Sequence, residues 1–340
     1  MGAPTVYYYD DAGAPVLTSG NDAFYQIVKA CLIDGYGDKA AAGWSWVYDD
    51  WAGTGNASLT NAAGSGVLGI HRADTSGRPP FVYVCEGMVD AQTPVNARSG
   101  LSNVSGLSDF VEASGGDTLN ATRTGSHWSQ WCVIANDNFA MVFMGQSGMF
   151  NAQASALGGY SSVVAFGAIA SVRGAGSVSA PLAGNFLIIG GASTDYVWRG
   201  YTPSLVGASV GNHSTAFYDM QGAVRQGDAG LLLWPFFQSV QDGVANGIGE
   251  TDGSIQVMDL NRAFVVYTES ITNPSRSGSQ LGFIPGLYAV SYACGQDDSL
   301  DRALTGADLR DIVSDGGKSY LKGRFYGLVG LISLAAEDWS

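Results

Sequence analysis

Asn21–Ile33 is the one long stretch of this chain whose apolar residues recur at the helical period; nearly everything else alternates short apolar runs with turn residues. Phe24, Ile27, Val28, Cys31 and Leu32 fall at i, i+3, i+4, i+7 and i+8, which lays one apolar face along a helix. Asn21 suits the N-cap, Asp22 the first turn and Gly35 the stop. A shorter candidate, Thr305–Val313, opens on Thr305 and Asp308, which approximate a capping box. One strong helix among many short strands bounds the fold class. The expectation is α+β, mainly β: antiparallel sheets in a β-sandwich-like arrangement with one or two helices, the clearest near the N-terminus.

The expected strands are Trp44–Tyr48, Val67–Arg72, Phe81–Glu86, Trp131–Ala135, Phe139–Met144, Ser162–Phe166, Asn185–Ile189, Ala229–Leu233, Ser254–Leu260, Ala263–Ser270, Tyr320–Tyr326 and Leu328–Leu334. Asn136-Asp137-Asn138 suits a hairpin loop, Asn261-Arg262 a two-residue turn, and Pro285-Gly286 reads as a turn, with Pro fixing φ and Gly supplying φ > 0. Phe139, Met141 and Phe143 alternate with Ala140, Val142 and Met144, so both faces of that strand are apolar and it is expected to be central and covered on both sides. Gly/Ser/Ala-rich stretches at Asn96–Gly125 and Gly145–Gly159 read as disordered linkers or, with aromatics on both sides, at least equally as ordered surface loops. The switch from a helix-plus-sheet pattern to strand and turn places a domain boundary near residue 155, giving an N-terminal α+β domain over 1–155 and a β-rich domain over 156–340.

Composition enters as support. Glycine is 48 of 340 residues and charged residues are only 14%, against roughly 7% and 25% in an average domain. With 8 Trp, 16 Tyr and 14 Phe the chain is not a low-complexity polymer. Thirty acidic against sixteen basic residues give a net charge of −14. That field repels phosphate backbones, so no nucleic-acid partner is expected. Met1–Tyr9 has neither a basic nor an apolar leader region, and no apolar run reaches membrane-spanning length, so neither a secretory leader nor membrane insertion is expected.

The motif scan yields little chemistry. Gly207-Ala-Ser209-Val-Gly211, with His213 beyond it, matches a nucleophile-elbow pattern but is not followed by a helical sequence. Asp315-Gly-Gly-Lys318-Ser319 resembles the end of a phosphate-binding loop, yet Ile312 stands where the first Gly is required, and a β-turn holding Lys318 accounts for it better. His71, His127 and His213 are far apart, and Asp297–Asp301 lacks the Gly and the final Glu of a calcium loop, so no metal or cofactor is expected. Cys31, Cys85, Cys132 and Cys294 are scattered, mostly in apolar runs, and read as buried free thiols. The aromatic clusters Tyr7–Tyr9, Trp44/Trp46/Trp51 and Trp128/Trp131 read first as core or subunit interface; Trp44 and Trp46, two apart, are expected on one face of a strand, whereas Trp128 and Trp131, three apart, are not. A glycan-binding alternative needs those tryptophans exposed in a groove.

Several segments together resemble a family of tailed-bacteriophage virion structural proteins. They are Asp10-Asp11-Ala-Gly-Ala-Pro15, then Gly35-Tyr36-Gly37-Asp-Lys39-Ala-Ala-Ala-Gly43-Trp44, Trp131-Cys-Val-Ile-Ala-Asn136-Asp137, Ala165-Phe166-Gly167, Pro285-Gly286-Leu287-Tyr288, Gly317-Lys318-Ser-Tyr320 and Asp338-Trp339. The matches run in order over nearly the whole chain. Ala289-Val290-Ser291 departs from the family's usual continuation, so no role of a histidine there transfers. The resemblance implies a non-enzymatic structural component of the virion, assembled in the bacterial host cytoplasm; it leaves tail, neck and head surface open as its place, with tail or neck the expectation. Its implied partners are copies of itself and other virion proteins. A tail-associated receptor module that binds a host-surface glycan is the alternative. No catalytic, cofactor or metal residues carry over.

Overall fold

The computed structural model describes residues 2–16, 20–72, 81–95, 111–112, 130–145, 162–171, 186–190, 215–216, 230–234, 260–268, 279–290, 310, 312–315, 317–325 and 328–339. Strand β1 (Thr5–Tyr8) precedes helix α1 (Gly20–Val28), which continues into a π-helical stretch, Lys29–Asp34. Then come β2 (Ser45–Asp50), β3 (Asn56–Thr60), β4 (Val67–His71), β5 (Phe81–Cys85), β6 (Gly87–Met88), β7 (Pro94–Val95) and β8 (Val111–Glu112). Next are β9 (Gln130–Ala135), β10 (Phe139–Gly145), β11 (Ser162–Ala168), β12 (Ala170–Ser171), β13 (Phe186–Gly190), β14 (Thr215–Ala216) and β15 (Gly230–Trp234). β16 (Leu260–Thr268), β17 (Ser279–Val290), β18 (Ile312–Asp315), β19 (Lys318–Phe325), β20 (Leu328–Ser333) and a 3-10 turn at Ala336–Trp339 complete the described elements. The protein is α+β and mainly β.

The strands form a first sheet β1-β9-β10-β11-β13-β14, a second sheet β2-β3-β4-β5-β8, a third sheet β15-β16-β17-β20-β19-β18 with β12 on β17, and the hairpin β6-β7; every pairing is antiparallel. The apolar face of α1 and the π-turn, with Phe24, Ile27, Val28, Cys31 and Leu32 all 0% exposed, packs in one core with Val133, Val142 and Phe166 of the first sheet and Leu59, Leu68 and Val84 of the second. Each such side chain contributes roughly 1.5–3 kcal/mol by leaving water, which offsets the ordering of an otherwise short helix. The helical stretch ends where expected, at Gly35 (φ +77°), whose N–H donates to Ala30 O. Its start lies one residue before the expected cap, at Gly20.

Strand β10 is the centre of the first sheet. Phe139, Met141 and Phe143 on one face and Ala140 and Val142 on the other are all 0% exposed, as the two-sided apolar pattern predicts. The 136–138 hairpin forms, closed by Asn136 N–H to Phe139 O. The expected domain division at 155 falls between β10 and β11, which pair in this one sheet from Phe139↔Gly167 to Met144↔Ser162.

Three local expectations are corrected. Asn261-Arg262 is not a turn but lies within β16, because Arg262 is held in place by donating to Asp338 O (2.8 Å) and covering the Phe283 ring (5.1 Å). Residues 254–259, the rest of that expected hairpin, lie outside the described residues. At the end of the expected Thr305–Val313 helix, Ile312 and Val313 are not helical: they pair with Leu321 and Tyr320 in a hairpin across Gly317, while residues 305–309 and 311 lie outside the described residues. Pro285-Gly286 is a bulge inside β17 rather than a turn between elements. Opposite β16, the register jumps from Phe264↔Phe283 to Arg262↔Tyr288. The bulge lets one strand change partners, from β12 at Gly282–Phe283 to β20 at Leu287–Ala289.

Gly167 has the same kind of purpose. At φ +130°, with the place of a Cβ already taken by Asn138 O, it lets β11 lie close against the 136–138 hairpin before the chain leaves for β12. The first and third sheets are therefore joined by continuous backbone at Gly167–Ser171.

Candidate functional site

The structure gathers the motif residues into polar joints. In the first, Asp11 Oδ2 accepts from Tyr8 N–H (2.8 Å) and Tyr36 O–H (3.0 Å) and faces Lys39 Nζ at 3.6 Å. Lys39 also donates to Val6 O (2.8 Å), and Tyr7 O–H to Ala40 O (2.7 Å). The acidic opening and the Gly-Tyr-Gly-x-Lys segment are thus one assembly fastening β1 to the chain after the helix. Burial first, then neighbouring Cys31 and Asp11, push the Tyr36 phenol far above its ordinary range, so it stays a donor. Arg310 bonds the carboxylate of Asp10 and lies over the rings of Tyr8 (5.0 Å) and Tyr9 (5.7 Å).

The second joint is built on Asn136. Its Oδ1 accepts the N–H groups of Asn138 and Phe139 (both 2.9 Å), and its carbonyl accepts Trp44 Nε1–H (2.9 Å). Asn61 Nδ2 and Ala168 N both donate to Asn138 O (3.2 and 3.0 Å), and Ala62 N donates to Asp137 O (2.9 Å). This hairpin thereby ties the second sheet, the linker at Trp44 and strand β11 together.

The third joint surrounds Asp338, a carboxylate only 6% exposed. It accepts from Lys318 Nζ at 2.9 Å on both oxygens, Tyr288 O–H at 2.7 Å, and the Ser333 hydroxyl. Trp339 Nε1–H donates to Ser333 O (2.7 Å), its indole fills the space where Gly286 (φ +68°) lacks a Cβ, and it meets the Phe139 ring edge-on at 6.5 Å. The Pro-Gly-Leu-Tyr, Gly-Lys-Ser-Tyr and Asp-Trp segments are one unit, with Tyr288 and Tyr320 in edge contact at 5.6 Å. Lys318 is therefore committed to an ion pair, in the hairpin where Asp315 pairs with it.

Burial alone would raise the Asp338 carboxyl; donation by Lys318, Ser333 and Tyr288 outweighs it and holds the group below the usual carboxylate range. Burial, then the bond to Asp338, pushes the Tyr288 phenol up to about 12. The signs follow. A depressed carboxyl contributes stability that is full above the unfolded value near 3.9 and is lost as pH falls through the folded value. A raised phenol contributes stability that is full below about 10 and is lost as pH rises through about 12. Asp338→Asn is expected to lower stability by about 1–3 kcal/mol, toward the low end because Lys318 is partly solvated. It should also flatten the acid limb of a plot of denaturation midpoint against pH. A variant that retained that limb unchanged would contradict the assignment.

A fourth cluster lies where the helix meets the second sheet. Tyr25 stacks on Trp51 (4.5 Å, 4°) and on Trp46 (5.6 Å, 20°), and Arg72 covers Trp51 at 4.6 Å. Asp22 accepts Trp51 Nε1–H (2.8 Å) and faces Arg72 (3.3 Å), while Asp49 accepts Tyr25 O–H (2.9 Å). The faces of Tyr25 and Trp51 are taken up by one another and by Arg72 and Trp46. Trp44 and Trp131 are 3% and 1% exposed, so neither presents a ring to a sugar. Trp46 is half-buried, and Trp128 lies outside the described residues.

No protein-family model and no curated protein matches this chain.

Ser209, His213, His127, Cys294 and Asp297–Asp301 lie outside the described residues. Cys31, Cys85 and Cys132 are buried free thiols. His71 sits on β4 with its Nδ1 at 2.6 Å from Asn56 Oδ1. Among the described residues, no three His, Cys, Asp or Glu side chains converge as a metal ion would require, and no helix is long and apolar enough to cross a membrane. Sequence reading missed the partners Tyr25, Arg72 and Asp49, whose neighbours come from separate elements. It placed Trp44 on the same strand face as Trp46, whereas Trp44 precedes β2 and plugs the core.

Proposed function

We propose that this chain is a structural subunit of a tailed-bacteriophage virion, in the tail or neck, assembling with copies of itself and with other virion proteins. One observation carries the reading. The segments that resemble the virion family end at joints of the scaffold, where their residues bond to one another: Asp11 with Tyr36 and Lys39, and Asp338 with Tyr288 and Lys318. They are short and scattered in sequence because each supplies one half of a joint. The polar groups of these joints serve the frame, as a component of an assembled particle needs, and the chain is read as performing no catalysis of its own.

The test is to purify particles of the phage that encodes the chain, identify their proteins by mass spectrometry, and locate this one by electron microscopy. Recovery in the particle at a fixed ratio to known tail or neck proteins is expected. Intact infectious particles lacking it would end the reading.

A further inference from the structure

The hairpin β6–β7 divides its side chains cleanly. Gly87 pairs with Val95 and Met88 with Pro94, and the bond from Val89 N–H to Thr93 O continues the ladder. Residues opposite or two apart share a face. Met88 therefore turns inward with Pro94, packing on Val67, Tyr83 and Cys85. Gly87, Val89, Thr93 and Val95 share the other face. Val89 is 65% exposed and Val95 37%, two of the four large apolar side chains exposed among the described residues. Gly87 lies between them with nothing within 4 Å of the place a Cβ would occupy, so this face is flat and open.

The hairpin is also held rigid. Asp90 accepts Gln92 N–H (2.8 Å) and the Thr93 hydroxyl (3.1 Å) in its turn, and Tyr48 O–H from β2 donates to Val89 O (3.0 Å). Those bonds keep the Asp90 carboxyl below its usual range and hence charged. Two exposed acids belong to the same hairpin, Glu86 just before β6 and Asp90 in its turn, where the carboxylate reaches the Thr93 hydroxyl.

We propose that this face is a docking site for a different protein whose apolar strip is flanked by lysine or arginine. Charge selects that occupant over a second copy. A second copy would bring the same net charge of −14 to this face; of the sixteen Lys and Arg residues, the six whose side chains are described are engaged, Lys29, Lys39, Arg72 and Arg310 with carboxylates, Lys318 with Asp338, and Arg262 with Asp338 O. A preorganised hairpin loses little freedom on binding, and two valines with an open glycine between them offer a seat for apolar side chains. The inference does not depend on the virion reading, since it names a surface and a chemistry rather than a particle.

The experiment uses the full chain and two synthetic peptides, one alternating valine with lysine and the other valine with glutamate. The lysine peptide is expected to bind, more weakly as salt rises, and to slow amide exchange over 86–95. Val89→Lys and Gly87→Trp should each weaken that binding about tenfold or more, as loss or blockage of a valine seat implies. Both sites are open to solvent, so melting temperature should stay unchanged and confirm that the variants fold. Equal binding of the glutamate peptide, protection elsewhere, or indifference to both substitutions would overturn the proposal. Self-association in sedimentation that Val89→Lys abolishes would also overturn it, by making a second copy the occupant.

Discussion

Trp339→Ala is expected to lower the unfolding free energy by about 3–5 kcal/mol, the largest effect of any single truncation outside the helix-side core. Three separate interactions end together. The indole leaves a cavity against Gly286 and Phe139, Ser333 O loses its donor, and the neighbouring Asp338 loses the packing that excludes water from its ion pair. Chemical denaturation followed by fluorescence should show a lower midpoint with an unchanged slope. Gly286→Ala approaches the same contact from the other side. The new methyl must occupy the indole's position at a backbone angle of +68°, so a loss of about 2–4 kcal/mol is expected from strain and overpacking together. If the double variant lost much less than the sum of the singles, the two residues would be shown to share one joint. Additive losses would separate them.

Trp44→Ala should be comparably severe, about 3–5 kcal/mol, and Trp44→Phe separates its two contributions. The Trp44 ring meets Phe166 edge-on at 5.3 Å, and its Nε1–H satisfies Asn136 O at 2.9 Å. Phenylalanine keeps most of the apolar burial and removes the donor, leaving a buried carbonyl short of a partner at about 1–3 kcal/mol. Hydrogen exchange sharpens the test. With Trp44→Phe, protection should fall first at the 136–139 hairpin and at Ala62, which donates to Asp137 O. A uniform fall over the whole chain would argue that Trp44 acts only as bulk.

What could be read in the sequence, and what could not, divides by the range of the interaction. Periodicity is local, so the Phe24–Leu32 helical face and the two-sided apolar pattern of Phe139–Met144 were legible, as was the Asn136–Asn138 hairpin. The three misreadings share a cause. Arg262, Gly286 and Ile312 each look like turn or helix residues in their own neighbourhood. Asp338 holds Arg262, Trp339 fills the gap at Gly286, and Leu321 pairs with Ile312. Tertiary partners override local preference in such places. The joints were visible only as disconnected motifs, since nothing in a linear sequence says that Asp11 bonds Tyr36 or that Asp338 bonds Tyr288 and Lys318. The Tyr25–Trp51–Arg72 stack left a fainter trace: a tryptophan and an arginine of opposite polarity near the same sheet, without the register that unites them.

The lateness of some of these contacts has a consequence during synthesis. Asp10 and Arg310 are 300 positions apart, and Phe139 waits similarly for Trp339. At ribosomal speeds of about 5–20 residues per second, the Asp10 pairing is absent for roughly 15–60 s after its first half emerges. Phe139 and Trp339 lie 200 positions apart in the sequence, so for roughly 10–40 s at the same rate the Phe139 side of the first sheet lacks its tryptophan cover, the condition in which nascent β proteins aggregate. A product that stops before residue 336 carries the helix and both early sheets but has neither Trp339 to cover Phe139 nor Asp338 to engage Lys318. Closure of that joint thus reports that translation has run past residue 339, and a chain cut short before it differs in its own shape from one that carries it.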